Sequence, residues 1–242
     1  MSDSPRVMLS ARLAAVAALV PPGLPMADIG TDHGRLPAWL VETGRVPRAV
    51  GVDDKAAPLA GAQALGATLG RGAALAFQLG SGCAGLVDIA TVTVAGMGGP
   101  LIARIVAGAR AAGARHLVLQ PNIGEAELRA WLDEHGWAID AEVLVTDRGR
   151  RFVVVSAVYA GGGPRLDAVD YAYGAAGAHR DPEALEARLD DDEARIRGLL
   201  ARHEGARADS ALGGQLEVVA RARARLRRVV EGARHAPGGA AV

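Results

Sequence analysis

The feature that most limits the possible folds of this chain is an alternation of short apolar runs with helical segments, from residue 1 to about residue 160. The runs predict five strands, at Leu24–Ile29, Ala49–Val52, Ala74–Leu79, Val87–Val94 and His116–Gln120. The segments between them predict helices at Leu36–Thr43, Pro58–Gly70, Leu101–Ala112 and Glu125–His135. The fourth run is apolar and β-branched on both faces, which is typical of a buried parallel strand. The alternation therefore predicts an α/β sheet covered by helices.

The two runs that follow the fifth strand are arranged differently. Trp137–Val145 and Arg151–Tyr159 are strand-like and are separated by only five residues. A connection this short cannot hold a crossover helix, so the two runs predict an antiparallel hairpin. Five alternating strands and a final hairpin give the strand order of class I methyltransferases, whereas a dinucleotide-binding domain normally adds a sixth parallel strand. We therefore predict a Rossmann-like, seven-stranded class I methyltransferase sheet.

The residues after the hairpin predict a second, helical domain. The break Gly161-Gly162-Gly163-Pro164 predicts a boundary between domains at 1–163 and 164–242. Acidic residues dominate 181–193 and arginines dominate 195–228, and both segments carry apolar residues at spacings of three or four. They predict two amphipathic helices, hinged near Gly213-Gly214, in an antiparallel, coiled-coil-like pair assisted by their opposite charges.

The composition excludes several classes of protein. The 242-residue chain is half apolar and carries 27 basic and 27 acidic side chains, which argues against disorder and against strong non-specific polyanion binding. Its single cysteine, Cys83, excludes an intramolecular disulfide framework and a multi-cysteine zinc site, and no metal is predicted. We find neither a secretory signal nor an apolar run that could span a bilayer, so we expect a cytoplasmic protein without a membrane partner. The oligomeric state is left open.

The turn after the first strand predicts a nucleotide-cofactor site. It reads Asp28-Ile29-Gly30-Thr31-Asp32, and a glycine where an apolar strand meets a helix permits close approach of a cofactor. Asp53 ends the second strand, where an acid can accept hydrogen bonds from both ribose hydroxyls. Asp28 and Asp32 would repel a pyrophosphate but suit the ammonium group of S-adenosylmethionine. The residues therefore favour S-adenosylmethionine, and an oxidoreductase that binds NAD at the same turn is the alternative.

A substrate crevice is predicted at the same edge of the sheet. Ala95-Gly96-Met97-Gly98-Gly99 follows the fourth strand and is almost free of side chains, so a flat base could approach its backbone closely. Gln120-Pro121-Asn122 ends the fifth strand. Open α/β sheets bind ligands outside the carboxyl ends of their strands, where both segments are expected.

Three sequence blocks together resemble one family. They are Asp28-Ile29-Gly30-Thr31-Asp32-His33 with Leu36-Pro37 following, Ala95-Gly96-Met97-Gly98-Gly99, and Leu119-Gln120-Pro121-Asn122. In this order they resemble the bacterial tRNA (adenine-22-N1)-methyltransferase family, called TrmK. The resemblance implies methyl transfer from S-adenosylmethionine to N1 of an adenine in tRNA, with the helices of 164–242 docking the tRNA. It also implies that Asp28, Gly30 and Asp32 line the methionine end of the cofactor and that Asp53 binds its ribose.

One position departs from the family pattern. The family commonly has Gly-Asp-Gly after the third strand, and its acid touches the adenine amino group of the cofactor. This chain has Gly80-Ser81-Gly82 instead, so Ser81 is expected to make that contact as a neutral partner. Ala95 and Gly96 complete the predicted cofactor contacts.

The chemistry of adenine N1 limits what the site must supply. N1 carries a free lone pair, so no base is needed, and we expect catalysis by positioning and by stabilisation of a cationic ring. The predicted catalytic residues are Asp32 and Asn122, helped by backbone carbonyls of residues 95–98. The predicted substrate contacts are His33, Met97, Gly98, Gly99, Gln120, Pro121, Arg148, Arg150 and Arg225. A methyltransferase acting on a small molecule or a protein, and a non-catalytic RNA-binding adaptor, are further alternatives.

Overall fold

The computed structural model describes residues 6–162, 166–175, 178–202 and 206–235. The chain divides into two compact units, Met1–Gly163 and Pro164–Val242. Two of the four residues that predict a boundary, Gly163 and Pro164, lie outside the described residues.

The first unit is built around one seven-stranded sheet. Its strands are β1 (Met26–Ile29), β2 (Ala49–Asp53), β3 (Leu75–Leu79), β4 (Thr91–Gly98), β5 (His116–Ile123), β6 (Trp137–Asp147) and β7 (Arg150–Tyr159). Its helices are α1 (Ala11–Leu19), α2 (Arg35–Glu42), α3 (Ala56–Leu69), α4 (Gly99–Val106) and α5 (Glu125–Glu134). The strand order is β3-β2-β1-β4-β5-β7-β6, with β1 to β5 parallel and β7 antiparallel to both β5 and β6. The predicted Rossmann-like sheet with a final hairpin is confirmed.

Burial on both faces of the sheet explains why the central strands appear in the sequence as short apolar runs. All four residues of β1 are buried, as expected for a central parallel strand covered on both faces.

Helix α5 is attached to β6 by a buried ion pair in which Arg129 donates from Nε and Nη2 to the two carboxylate oxygens of Glu142, at 2.8 and 2.7 Å. Both side chains are fully buried, and the two parallel hydrogen bonds satisfy the charges that burial would otherwise penalise.

Two predicted boundaries lie too far out. The strand predicted at Val87–Val94 begins at Thr91, because Val87 lies in a loop and is 68% exposed. The helix predicted to reach Ala112 ends at Val106, after which the chain forms turns. In both cases apolar residues continue beyond the regular element, so the hydrophobic pattern alone places the end too far out.

Helix α1 has no counterpart among the predicted elements. Its first turn is capped by Ser10, whose Oγ accepts a hydrogen bond from the backbone N–H of Leu13 at 3.3 Å. Val16 and Leu19 are buried in the core. Residues 11–19 are mostly alanine, leucine and valine, so they show little of the one-sided polarity that identifies a helix in a sequence.

The second unit is helical throughout its regular described elements. These are α6 (Ala168–Tyr173), α7 (Pro182–Leu200) and α8 (Ala206–His235). Helices α7 and α8 pack in antiparallel fashion, since Glu183 shares a groove with Val230 whereas Arg197 shares one with Leu216. The predicted helical domain is therefore present, and its coiled-coil-like character stays a prediction.

The predicted hinge at Gly213-Gly214 is wrong, because α8 runs through both glycines without a break. The helices are instead connected through residues 201–205, of which 203–205 lie outside the described residues. A glycine costs only about 1 kcal/mol in a helix, which the packing of a long amphipathic helix can offset. Opposite charges do meet across the pair, as Arg223 of α8 binds Glu186, Asp190 and Glu193 of α7 at 2.7 Å each.

Candidate active site

A cavity of about 370 Å³ lies at the carboxyl edge of the parallel strands. This is the edge at which open α/β sheets bind ligands, and the chain order reverses here, with β1 lying between β2 and β4. Its size is within the usual range for small-molecule sites. The predicted site residues that line it are Asp28, Gly30, Asp32, His33, Asp53, Ala95, Gly96 and Met97.

Asp28 is a buried carboxylate at the floor of the cavity. It is 5% exposed, and its Oδ1 accepts a hydrogen bond of 2.6 Å from the hydroxyl of Thr93 on the neighbouring strand. Burial raises the pKa of Asp28 to about 6, although the hydrogen bond from Thr93 acts in the opposite direction. A buried carboxylate with a raised pKa is a strong acceptor for a cationic ligand, because a nearby positive charge stabilises its ionised form.

The turn after β1 is held in place by the end of β2. Asp53 accepts hydrogen bonds from the backbone N–H of Asp32 at 2.9 Å and from that of Lys55 at 3.0 Å. Gly30 has φ +73°, a conformation that favours glycine, and a Cβ there would lie 2.1 Å from Cε of Met97, so the methionine side chain would have to move. The turn is therefore closely packed, and its shape depends on residues from three strands.

Asp32 and His33 are the exposed part of this turn. Their side chains are 71% and 65% exposed, and Oδ1 of Asp32 lies 3.7 Å from Nε2 of His33. Asp32 has φ +52°, a left-handed conformation that is uncommon outside glycine, asparagine and aspartate. Both side chains can reach a ligand that enters from solvent.

A chain of hydrogen bonds connects β4, β5 and α1 beside the cavity. The Gln120 side chain is fully buried, and its Nε2 donates to the carbonyl of Pro121 at 2.7 Å and to Oδ1 of Asn122 at 3.2 Å. Asn122 in turn donates from Nδ2 to the carbonyl of Gly96 at 2.7 Å. Arg12 completes the chain by donating to Oε1 of Gln120. Gln120 and Pro121 are buried, so they support the crevice, whereas Asn122 is exposed in it.

Sequence reasoning missed Arg12, which lines the cavity from α1. Its guanidinium carbon lies 5.7 Å from the ring centroid of Phe152, and the guanidinium of Arg150 lies 5.2 Å from the same ring. The cavity is therefore next to the turn of the β6–β7 hairpin, where Arg148 and Arg150 are exposed. An arginine in an otherwise apolar nine-residue run is the one signal in the sequence that could have identified Arg12.

Three predicted site residues have other surroundings. Ser81 is exposed and is not among the described residues that line the cavity. A Cβ on Gly99 would lie 1.9 Å from the carbonyl oxygen of Gly124, so this glycine permits a close backbone contact. Gly98 pairs with Ile123 at the end of the β4–β5 ladder.

Arg225 belongs to the second unit and has partners there. It binds Asp167 and also Asp170, at 2.8 Å, next to the first turn of α6. The hydrogen bond from Arg225 lowers the pKa of Asp167 to about 2. Because its charge is already neutralised, we do not include Arg225 among the residues proposed to bind a substrate.

Other chemistries find less support in the described part of the chain. It contains no group of three or more His, Cys, Asp or Glu side chains placed to hold a metal ion. No helix in it is long and apolar enough to cross a membrane. Cys83 is buried, and burial raises the pKa of its thiol to about 11, so it is not an activated nucleophile.

Comparison with known proteins gives consistent matches. The methyltransferase domain family matches residues 9–155. The tRNA (adenine(22)-N(1))-methyltransferase of Bacillus subtilis (strain 168) is 33% identical over 153 residues, which is 62% of this chain and 64% of that protein. The chain thus spans slightly less than two thirds of that relative's length.

Solved structures extend the match to the second unit. The M1A22 tRNA methyltransferase TrmK of B. subtilis has a TM-score of 0.74 and 25% identity, over 90% of this chain and 99% of that chain. Sp1610 of Streptococcus pneumoniae in complex with S-adenosyl-L-methionine has a TM-score of 0.76 and 28% identity, over 89% of this chain and 99% of that chain.

Proposed function

Since this chain belongs to the methyltransferase domain family, and to the TrmK family within it, we propose that it transfers a methyl group from S-adenosylmethionine to N1 of adenine 22 in tRNA. The observation that carries the proposal is the cavity itself, in which a buried carboxylate lies beside a crevice built from backbone groups. tRNA is the proposed partner, and the cytoplasm is the proposed location.

The acidic residues of the cavity fit S-adenosylmethionine. Asp28 would stabilise the cationic methionine end, and Asp53, whose oxygens each accept one backbone N–H, has lone pairs left for ribose hydroxyls. A dinucleotide would bring two phosphates to a cavity lined by Asp28, Asp32 and Asp53, which is electrostatically unfavourable. The relatives also favour methyl transfer over the NAD-dependent alternative. When bound, S-adenosylmethionine supplies an electrophilic methyl group.

The crevice residues would position the adenine and stabilise its charge. N1 reacts through its own lone pair, so the protein needs no general base and His33 has no proton to remove. The ring becomes cationic as N1 is methylated, and preorganised acceptors around it lower the barrier. Asp32 supplies an exposed carboxylate, and the hydrogen bonds from Gln120 to Asn122 and from Asn122 to Gly96 fix the carbonyl of Gly96. Asp32 and Asn122 therefore act by orienting the adenine and by electrostatic stabilisation.

The tRNA backbone would bind to arginines near the cavity. Arg148, Arg150 and Arg151 are exposed in and beside the turn of the β6–β7 hairpin, and Arg150 shares the Phe152 ring with cavity-lining Arg12. In the second unit, Arg227 and Arg228 are exposed on α8 and are candidates for further phosphate contacts. Phosphate contacts of this kind make affinity fall steeply with salt.

The test is to map methylation on tRNA. An unmodified tRNA transcript is incubated with the purified chain and S-adenosylmethionine, and modified positions are located by reverse-transcription stops and by mass spectrometry of nucleosides. We expect 1-methyladenosine at a single position, adenine 22. Methylation of another base, of protein only, or of no RNA would contradict the proposal.

A further inference from the structure

The position of N1 in adenine sets a requirement that the cavity alone does not meet. N1 lies on the edge that pairs with another base, so a paired adenine cannot present its lone pair to the cavity. Enzymes that modify such atoms move the nucleotide out of the helix and lose its stacking and pairing energy. If the proposed function holds, this protein needs a group that keeps the target adenine out of the stack.

The ends of β4 and β5 extend beyond the end of the neighbouring strand β1, whose last residue pairs with Val94. Met97, which lines the cavity, pairs with Pro121, and Gly98 pairs with Ile123 after two register shifts. Ile123 is 71% exposed, the highest value among the exposed large apolar side chains of the described residues. It does not line the cavity but follows directly after Asn122, at the edge of the crevice.

The backbone on both sides of Ile123 is firmly held. On one side, Asn122 is bound to the carbonyl of Gly96 and to the buried Gln120 side chain. On the other side, Gly124 packs closely against Gly99, since a Cβ on Gly99 would lie 1.9 Å from the carbonyl oxygen of Gly124. A β-branched side chain is also stiff about χ1. The result is a rigid apolar tip that stands in solvent.

We propose that Ile123 is a wedge that enters the RNA base stack beside the target adenine and holds that adenine in the cavity. Apolar side chains inserted between bases serve this purpose in other nucleic-acid-binding proteins, where they replace stacking contacts. An exposed isoleucine contributes little to the protein core, so its removal should not lower stability. The arginines of the hairpin bind phosphates, and Ile123 supplies the apolar part of the interface.

The experiment compares two tRNA transcripts that differ only in the nucleotide opposite the target adenine. One transcript keeps that nucleotide complementary, and the other carries a mismatch that leaves the adenine unpaired. Single-turnover methylation by Ile123→Ala is expected to be about tenfold slower than wild type on the paired transcript and within about twofold of wild type on the unpaired one. Ile123→Leu, which keeps an apolar tip, is expected to restore most of the rate on the paired transcript.

Two controls separate the wedge from other roles. Val87→Ala removes an equally exposed apolar side chain from the loop before β4, and it should leave both transcripts unaffected. S-adenosylhomocysteine affinity and thermal stability of Ile123→Ala should equal those of wild type. Equal loss on both transcripts, or full activity on the paired one, would overturn the wedge while leaving the proposed function intact. If wild type methylates neither transcript, the proposed function fails instead.

Discussion

The two sides of the cavity are formed by different kinds of chemical group. Beside β1 and β2 it is made of charged side chains, of which Asp28 is buried and Asp53 binds two backbone N–H groups. Between β4 and β5 it is made mainly of backbone groups and amide side chains, with the carbonyl of Gly96 held by Asn122 and the guanidinium of Arg12 bound to Gln120. Fixed negative charge suits a cationic cofactor, whereas a crevice of backbone groups and amides that carries no carboxylate accepts a flat base that becomes charged only during the reaction. The comparison predicts that the first side controls cofactor affinity and the second controls turnover.

The largest effect is expected for Asp28→Asn. Removing a buried charge that faces a cationic ligand should cost about 2–5 kcal/mol of binding free energy, measured by calorimetry with S-adenosylhomocysteine. The stability of the ligand-free protein should change in the other direction. Because burial raises the pKa of Asp28 to about 6, ionisation of this carboxyl destabilises the fold at neutral pH. The free energy of unfolding of the variant should therefore be about 2–3 kcal/mol higher than that of wild type at pH 7. Unchanged affinity would show that Asp28 does not hold the cofactor.

Asn122→Ala is expected to act on turnover alone. The carbonyl of Gly96 loses its hydrogen-bond donor, so the crevice becomes less ordered and kcat should fall about ten- to a hundredfold. S-adenosylhomocysteine affinity should stay within twofold of wild type, because the charged side of the cavity is untouched. A loss of cofactor affinity equal to the loss in kcat would mean that the two sides are not separable.

The pH dependence of cofactor binding should follow Asp28. Its folded-state pKa is raised from 3.8 to about 6, so the carboxylate is protonated below that pH and ionised above it. S-adenosylhomocysteine affinity should therefore rise with pH and level off above about 6, with a fall of up to about tenfold for each pH unit below. In the absence of ligand, stability should change in the opposite sense, decreasing as pH rises from about 4 to 6. Calorimetry of Asp28→Asn over the same range should show neither trend.

The smallest effect is expected outside the cavity, for Arg150→Gln. Loss of one phosphate contact should weaken tRNA binding a few-fold and reduce the slope of log affinity against log salt by about one. Arg225→Gln is the matched comparison, because Arg225 is paired with Asp167 and Asp170. Its salt slope should equal that of wild type, and only its thermal stability should fall. Equal slopes for wild type and Arg150→Gln would exclude Arg150 from the RNA interface.

The sequence predicts the charged side of the cavity better than the crevice. Asp28, Gly30 and Asp53 stand at the ends of recognisable strands, and local spacing is enough to bring them to one edge. Arg12 could not be placed in this way, since it meets Gln120 across 108 residues and only because α1 packs beside β5. Gln120 was correctly placed at this edge, but its burial depends on tertiary packing that a single sequence does not display.

In the second, helical unit, the sequence predicts the two helices but not the position of the connection between them. The apolar spacing and the opposite charges of 181–193 and 195–228 predict the antiparallel pair. The position of the connection does not follow from them, because a helix break at Gly213-Gly214 is a local preference of small energy. Helix α8 runs through both glycines, and the connection between the helices lies after Leu200 and before Ala206 instead.

The selectivity of the wild-type cavity for its ligand tests the account most directly. Calorimetric titrations of the purified chain with S-adenosylhomocysteine and with NAD, under the same conditions at pH 7.5, compare an ammonium-bearing nucleoside with a diphosphate. The account predicts saturable one-to-one binding of S-adenosylhomocysteine and no heat of binding for NAD. Tight binding of NAD together with none of S-adenosylhomocysteine would contradict it.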